Sequence, residues 1–346
     1  MFIPDFKLVL PGGCNAKCSF CFNKKQILKN DSWIQSLNKA LQDVPEQFTQ
    51  LNITGGEPTI SPYFIETLNT IKKYRSKFQK IVMTTNGSGL NPKDLQGAVD
   101  HINISRHHFD DSMNNKIFKC EMLSAKDLKN KIEECNQYGI DVRISLTLNK
   151  LNSTVENILK TIKFCKKSQA LSLIIRNDYR KDINPSDLEF EFANHKTISN
   201  SSCPVCRVKQ QIINDYPVSW VCGVVEPFSG YSGVREIILQ SNGDLTYDYK
   251  GKYIVDLEHL YKIYDGIPCV AGFYKGEEPL GYLGQAIPIN SEKQTHLPEE
   301  IEEIFRKVEE QSGKLELFGC SPLINQISDH YIWNYNLIKA FGGDYR

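Results

Sequence analysis

Three cysteines fall within eight residues, Cys14-Asn-Ala-Lys-Cys18-Ser-Phe-Cys21, immediately behind the apolar run Phe6–Leu10. Three thiols this close together either bind a metal centre or stay as inert thiols. Thiolates at this spacing can wrap one corner of a cubane cluster, each on a different iron, and leave the fourth iron without a protein ligand. Structural zinc takes four ligands, often as two Cys-x2-Cys pairs, and no fourth ligand lies nearby in sequence. The spacing favours a [4Fe–4S] cluster over zinc or unligated thiols. The chain holds 11 cysteines in 346 residues. A secreted disulfide framework uses an even number in a much shorter chain, so reduced thiols and a cytoplasmic location are expected.

Around this loop the chain alternates short apolar runs with amphipathic stretches. Strands are expected at Phe6–Leu10, Gln50–Ile53, Lys80–Thr84, His101–Ser105, Asp141–Leu148 and Leu171–Ile175, each short and rich in Val, Ile or Leu. Helices are expected near Ser32–Gln42, Pro62–Tyr74, Pro92–Val99, Ser124–Tyr138 and Ser153–Lys166, with Gly139 as a stop. Six βα units in succession imply an α/β fold with a parallel sheet. They suit either an open sheet or a partial (βα)6 TIM-like barrel, and in both cases ligands sit at the carboxyl ends of the strands. After residue 180 the rhythm changes, dividing the chain into a barrel at 1–180 and a hairpin-containing C-terminal extension at 181–346. Its hairpins are Val208–Ile213 with Val218–Cys222, turning at Asn214–Pro217, and Arg235–Gln240 with Leu245–Tyr249, turning at Ser241–Asp244. A helix near Pro298–Glu310 and an aromatic tail, Tyr331-Ile-Trp333-Asn-Tyr335, follow.

Three more elements stand at successive strand ends: Thr54-Gly55-Gly56-Glu57-Pro58 after the second, Thr84-Thr85-Asn86-Gly87 at the third, and Asn103-Ile-Ser105 on the fourth. With Cys-x3-Cys-x-aromatic-Cys, in which Phe20 is the aromatic, this order resembles the radical SAM superfamily over about residues 5–180. The resemblance implies a [4Fe–4S] cluster on Cys14, Cys18 and Cys21 and S-adenosylmethionine chelated to the open iron. It also implies reductive cleavage to a 5′-deoxyadenosyl radical, and an electron donor such as flavodoxin or ferredoxin. By the same resemblance the Gly55–Gly56 backbone bonds the SAM amino group with Glu57 assisting. Asn86 and Ser105 bond the ribose or carboxylate end, and Phe20 lies against the adenine. Arg143, on the fifth strand, is a bidentate candidate for the SAM carboxylate.

A second set, Cys203-Pro-Val-Cys206 and Cys222, brackets the first hairpin. It resembles the twitch-type extension of some radical SAM enzymes, among them the molybdenum-cofactor GTP cyclase, and implies a second, auxiliary [4Fe–4S] cluster with Cys269, Cys320 or substrate as a fourth ligand, the alternatives being zinc or unligated thiols. The related SPASM extension would add a cysteine that the second hairpin lacks. Gly342-Gly343 parallels that cyclase's double-glycine tail, but here Asp-Tyr-Arg follows. Cys120, Cys135 and Cys165 fall on expected helices and read as small buried hydrophobes.

His107 shares a strand face with Ser105, which makes it the candidate for substrate contact or proton transfer. Arg176, ending the sixth strand, is the candidate for a substrate anion, and Asp110-Asp111 reads as a helix cap. Lys+Arg and Asp+Glu both number 41, which disfavours long nucleic acid as a partner. The basic run Lys160–Lys167 reads as a solvated helix face. No apolar run reaches the ~18 residues of a membrane span, and the start does not read as a signal peptide. Three functions follow: radical modification of a small molecule such as a nucleotide or natural-product precursor; modification of a ribosomal peptide; or a non-catalytic Fe–S or SAM-binding regulator. The cluster loop at residue 14 leaves no room for an N-terminal leader-binding domain, which tilts the reading to the first.

Overall fold

In the computed structural model the described residues are 5–21, 29–43, 48–176, 178, 188, 191–200, 208–221, 236–246, 271–275, 278–283 and 314–317. All six expected strands form: β1 Asp5–Leu10, β2 Phe48–Gly55, β3 Phe78–Thr85, β4 His101–Ser105, β5 Asp141–Thr147 and β6 Ser172–Arg176. They pair in sequence order, all parallel. The helices are α1 Trp33–Asp43, α2 Phe64–Lys73, α3 Pro92–Leu95, α4 Asp111–Phe118, α5 Ala125–Gln137 and α6 Val155–Lys167. α3 is shorter than expected and leads into Gly97, which holds φ +73°. Asp110 caps the short α4 through Met113 N–H, ahead of α5. The four lysines of the basic run on α6 are exposed.

The alternation of each strand decides the architecture. Phe6, Leu8 and Leu10, then Leu51 and Ile53, Ile81 and Met83, Ile102 and Ile104, Val142, Ile144 and Leu146, and Leu173 and Ile175 face one side. There they form one core with Trp33, Leu37 and Leu41 of α1, Leu68 and Ile71 of α2, Leu128 and Ile132 of α5, and Ile158 and Ile162 of α6. Each such side chain contributes roughly 1.5–3 kcal/mol on burial. Cys135 and Cys165 are fully buried in the same layer. The intervening residues face the other, inward side. There Asn52, Thr54, Lys80, Ser105, Arg143 and Thr147 stay partly exposed, and Thr84 and Arg176 are exposed. A helix-covered outer face and a polar inward face are the two sides of a partial barrel.

Strands from beyond residue 180 extend the same sheet. β7 is Lys196–Asn200, β8 Val208–Ile213, β9 Tyr216–Val221, β10 Glu236–Leu239 and β11 Leu245–Thr246, and the order is β11-β10-β1-β2-β3-β4-β5-β6-β9-β8-β7. β10 lies parallel to β1 and β9 parallel to β6. The first hairpin turns on two residues, Asn214 at φ +50° and Asp215 at φ +57°, the two-residue turn whose twist suits paired strands. The expected turn at Asn214–Pro217 is therefore too long. Pro217 is inside β9 opposite Ile212, just before the ladder to β6 begins at Val218, so its missing N–H costs no sheet bond. The second hairpin turns at Gly243, φ +95°. A separate antiparallel sheet of β12 Ala271–Lys275, β13 Glu278–Leu283 and β14 Lys314–Leu317 was not foreseen from the sequence. Cys203, Cys206, Cys222, Cys269, Cys320, the Pro298–Glu310 helix, the aromatic tail and Gly342–Gly343 lie outside the described residues. No helix among the described residues is long and apolar enough to cross a membrane.

Candidate active site

The cysteine loop leaves the carboxyl end of β1, and the surrounding structure fastens it at every second residue. Pro11 O accepts from Ser61 Oγ at 2.6 Å, and Gly13 O accepts from Glu57 N at 2.9 Å. Asn15 Oδ1 accepts from Asn86 Nδ2 and Asn15 Nδ2 donates to Ser88 Oγ, both at 2.8 Å. Lys17 N donates to Phe118 O at 2.9 Å. Between these anchors the thiols stay reachable: Cys14 is exposed and Cys18 and Cys21 are half-buried, with none of them in a disulfide. Ala16 N donates to Cys14 Sγ at 3.3 Å, and Cys21 N closes a turn on Cys18 O.

Glu57 is the hub of the fastening. It is 1% exposed, and its carboxylate accepts from Thr59 N at 3.1 Å, Thr59 Oγ1 at 2.7 Å, Asn86 N at 2.5 Å and Thr85 Oγ1. Burial pushes its carboxyl up, against these four bonds, which favour the charged form. Both oxygens are thus engaged with this chain's own donors. Asn86 is used the same way: its Oδ1 accepts from Ser88 N at 2.9 Å while its Nδ2 holds Asn15. Gly55 ends β2 where a Cβ would meet Leu10 O of β1 at 2.9 Å. Glycine there keeps the two strand ends in contact, whatever it contributes to a ligand. Thr59, Thr85, Asn15 and Ser88 were not singled out from sequence, although the Asn86-x-Ser88 pair and the threonines flanking two named motifs carried the signal.

Ser105 ends β4 on the inward side, partly exposed and opposite Ser145. His107 is a different case. It is 3% exposed, with the Phe118 ring stacked at 4.7 Å and Phe20 edge-on at 4.9 Å. Its Nδ1 accepts from Thr147 N at 3.0 Å, and its backbone is held by Asn114 and Asn152. Burial pushes the imidazole down to about 3, so it is neutral at physiological pH. Where an inward histidine open to the barrel was expected, His107 is packed, with its ring between Phe118 and Phe20. Fully buried Arg106 ties the following loop together through Leu123 O, Phe109 O and Asp111.

Cys120 also needs correction. It lies not on a helix but in the bend after α4, half-buried. It stands near enough to Cys14 and Cys18 to oppose their ionisation. Its sulfur is 3.4 Å from Met122 Sδ. Arg143 and Arg176 stand on inward positions of β5 and β6, Arg143 partnered in register with Asn103 and Ser172.

The residues fit an iron–sulfur centre: three unbridged, accessible thiols on a loop whose backbone is pinned from outside. Among the described residues no three His, Cys, Asp or Glu side chains are already gathered at the spacing of one bound metal ion.

Residues 8–165 match the family model described as the Radical SAM superfamily. The chain is 28% identical over 156 residues to a probable GTP 3′,8-cyclase of Thermococcus kodakarensis, covering 43% of this chain and 48% of that one. It is 28% identical over 163 residues to an S-adenosylmethionine-dependent nucleotide dehydratase of Flammeovirga pacifica, covering 43% and 55%. The chain spans about half the length of these curated relatives. The structure resembles SuiB of Streptococcus suis at TM-score 0.51 and 16% identity, over 72% of this chain and 60% of that one, a likeness of fold. The cysteine loop, the Gly55–Glu57 turn and the Asn86 turn meet at one end of a mostly parallel sheet, inside the matched residues, and the chain therefore carries a radical SAM domain.

Proposed function

We propose that this chain is a radical SAM enzyme that abstracts a hydrogen atom from a small-molecule substrate of the nucleotide class. The observation that carries the reading is the cysteine loop fastened at residues 11, 13, 15 and 17 by the ends of β2, β3 and α4. A bound [4Fe–4S] cluster supplies the electron that cleaves S-adenosylmethionine to methionine and a 5′-deoxyadenosyl radical. Cys14, Cys18 and Cys21 are its ligands. Gly55 and Gly56 offer backbone to the cofactor, and Ser105 and Phe20 form its opposite wall. Glu57 and Asn86 act by holding the loop, and His107 by supporting Phe20. Nucleotide chemistry is supported by the two curated relatives, whose names are those of nucleotide-acting enzymes. A second cluster on Cys203, Cys206 and Cys222 is supported by their spacing. The odd cysteine count and the oxygen-sensitive centre support a reducing, cytoplasmic setting with a flavodoxin or ferredoxin donor.

Anaerobic reconstitution tests this. About eight irons per chain are expected with two clusters, and about four with one. Reduced protein with SAM produces 5′-deoxyadenosine. A Cys14→Ala, Cys18→Ala, Cys21→Ala variant loses about four irons and falls to background. An intact cluster that yields no 5′-deoxyadenosine overturns the reading.

A further inference from the structure

The rim around the cysteine loop is uneven in charge. On the side of β2 and β3, residues 54–63 and 85–91 hold a single Asp, Glu, Lys or Arg, and this is the buried Glu57. The side of α4 is different. Lys17 N meets Phe118 O at 2.9 Å, which sets Lys17 beside the end of that helix. Lys116 stands in the last turn of α4 and Lys119 caps it. All three lysines are exposed, and none makes an ion pair among the described residues. Glu121 is the exposed carboxylate that follows them. Asp110 and Asp111 stand at the other end of α4, about 12 Å away over eight residues, and Asp111 is taken by Arg106. In sequence, residues 14–30 hold Lys17, Lys24, Lys25 and Lys29 and no Asp or Glu; Lys29 reaches Asp31 at 3.9 Å.

The fold gives no reason for this concentration. Lys119 holds φ +56° at a helix end where glycine or asparagine is the ordinary residue. Lys116 and Lys119 stand three apart, a spacing at which like charges repel. The positive face borders the thiols, since Cys14 and Cys18 flank Lys17 in the loop. We infer that an acidic protein carrying one electron docks on the face formed by Lys17, Lys116 and Lys119 and reduces the cluster from there. Opposite charge steers such a partner and fixes its orientation. The inference rests on the proposed function for the destination of the electron. One electron leaves the carrier and enters the cluster; no bond forms or breaks and no proton moves.

The test uses the reconstituted full chain at low salt, with oxidised flavodoxin and oxidised ferredoxin as binding probes in titration calorimetry. Initial rates of 5′-deoxyadenosine formation are measured with the same carriers reduced and, separately, with reduced methyl viologen, a small cation. At least one carrier is expected to bind. Lys116→Glu and Lys119→Glu together weaken that binding about tenfold or more and slow the carrier-driven rate alike, while the viologen-driven rate is unchanged. Lys119→Asn suits the cap, so it keeps the fold and weakens binding about threefold. Lys163→Glu, on the basic run of α6, leaves binding unchanged. Added salt narrows the difference between wild type and the double variant. Four results overturn the inference: neither carrier binding; binding that ignores the double variant; poly(U) binding as tightly with the same dependence on these lysines; or a viologen-driven rate that falls as far as the carrier-driven one. A chain that binds a carrier through these lysines but forms no 5′-deoxyadenosine with any reductant fails the proposed function and leaves the docking face standing.

Discussion

At the ends of β1–β3, buried Glu57 accepts four hydrogen bonds from its own chain, whereas Arg143 Nε, buried on the inward face of β5, makes none. Both groups pay to leave water. Glu57 is compensated within the fold, and its loss is a loss of structure. Arg143 Nε has no such bond, and the charge of the group is offset in part by Asp141. One end of the barrel is closed by bonds within the chain, and the adjoining wall keeps a buried donor without one.

The largest effect expected breaks or upholds this contrast directly. Glu57→Ala strands Thr85 Oγ1, Asn86 N and Thr59 N and costs about 3–5 kcal/mol. Arg143→Met removes a buried cation whose Nε has no hydrogen bond and leaves stability within about 1 kcal/mol of wild type, or raises it. Urea unfolding of the two variants without cluster compares them. Equal losses would mean that the two regions do not differ in kind.

An intermediate effect separates the two regions by pH. His107 and His101 both stand near 3 in the folded chain, against an ordinary 6.5. The unfolded chain therefore binds more protons below pH 6.5. Stability is fully present above that value and falls as pH drops towards 3, by up to about 1.4 kcal/mol per pH unit for each imidazole. The causes differ. His107 is shifted by burial alone, His101 also by Arg143 and Lys80. Arg143→Gln should raise the His101 midpoint in an NMR titration and leave His107 where it is. Equal movement of both would show that the charge of the wall reaches the closed region too.

The sequence was most informative where one physical rule acts alone. Period-two alternation located all six strands of the barrel, and the thiol spacing located the cofactor loop. It was least informative where a residue's role depends on which other element it meets. Glu57 and Asn86 stand inside recognisable motifs, yet their bonds to Thr85 and Asn15 run from one loop to another, and no local pattern states that. His107 has the alternation of an inward residue, but Phe20 and Phe118 close over it from segments far apart in sequence. Pro217 looks like a turn residue until β6 is known to begin its pairing one residue later. Arg143 was legible as an inward residue on β5, but its closeness to Lys80, His101 and Arg176 emerges only when β3, β4 and β6 are laid beside it.

The smallest effect tests how far the closed region depends on its outermost link. Asn15 is exposed, so Asn15→Ala removes its side-chain bonds to Asn86 and Ser88 and a long contact with Cys14 Sγ, which water largely replaces, and unfolding changes by about 1 kcal/mol or less. The consequence should appear at the loop. With the Asn86 and Ser88 contacts gone, Gly13 and Lys17 still hold the loop on either side, so the iron content is retained. Cys14, next to the lost link, gains freedom, and the KM for SAM rises about threefold with little change in kcat, as when uniform binding is lost. Ser88→Ala deletes just the second bond and should give the lesser part of that rise. If Asn15→Ala instead sheds iron, the anchors at 13 and 17 are too weak to hold the loop. The closed region would then owe its order to the cluster, and its contrast with the inward wall would be one of degree.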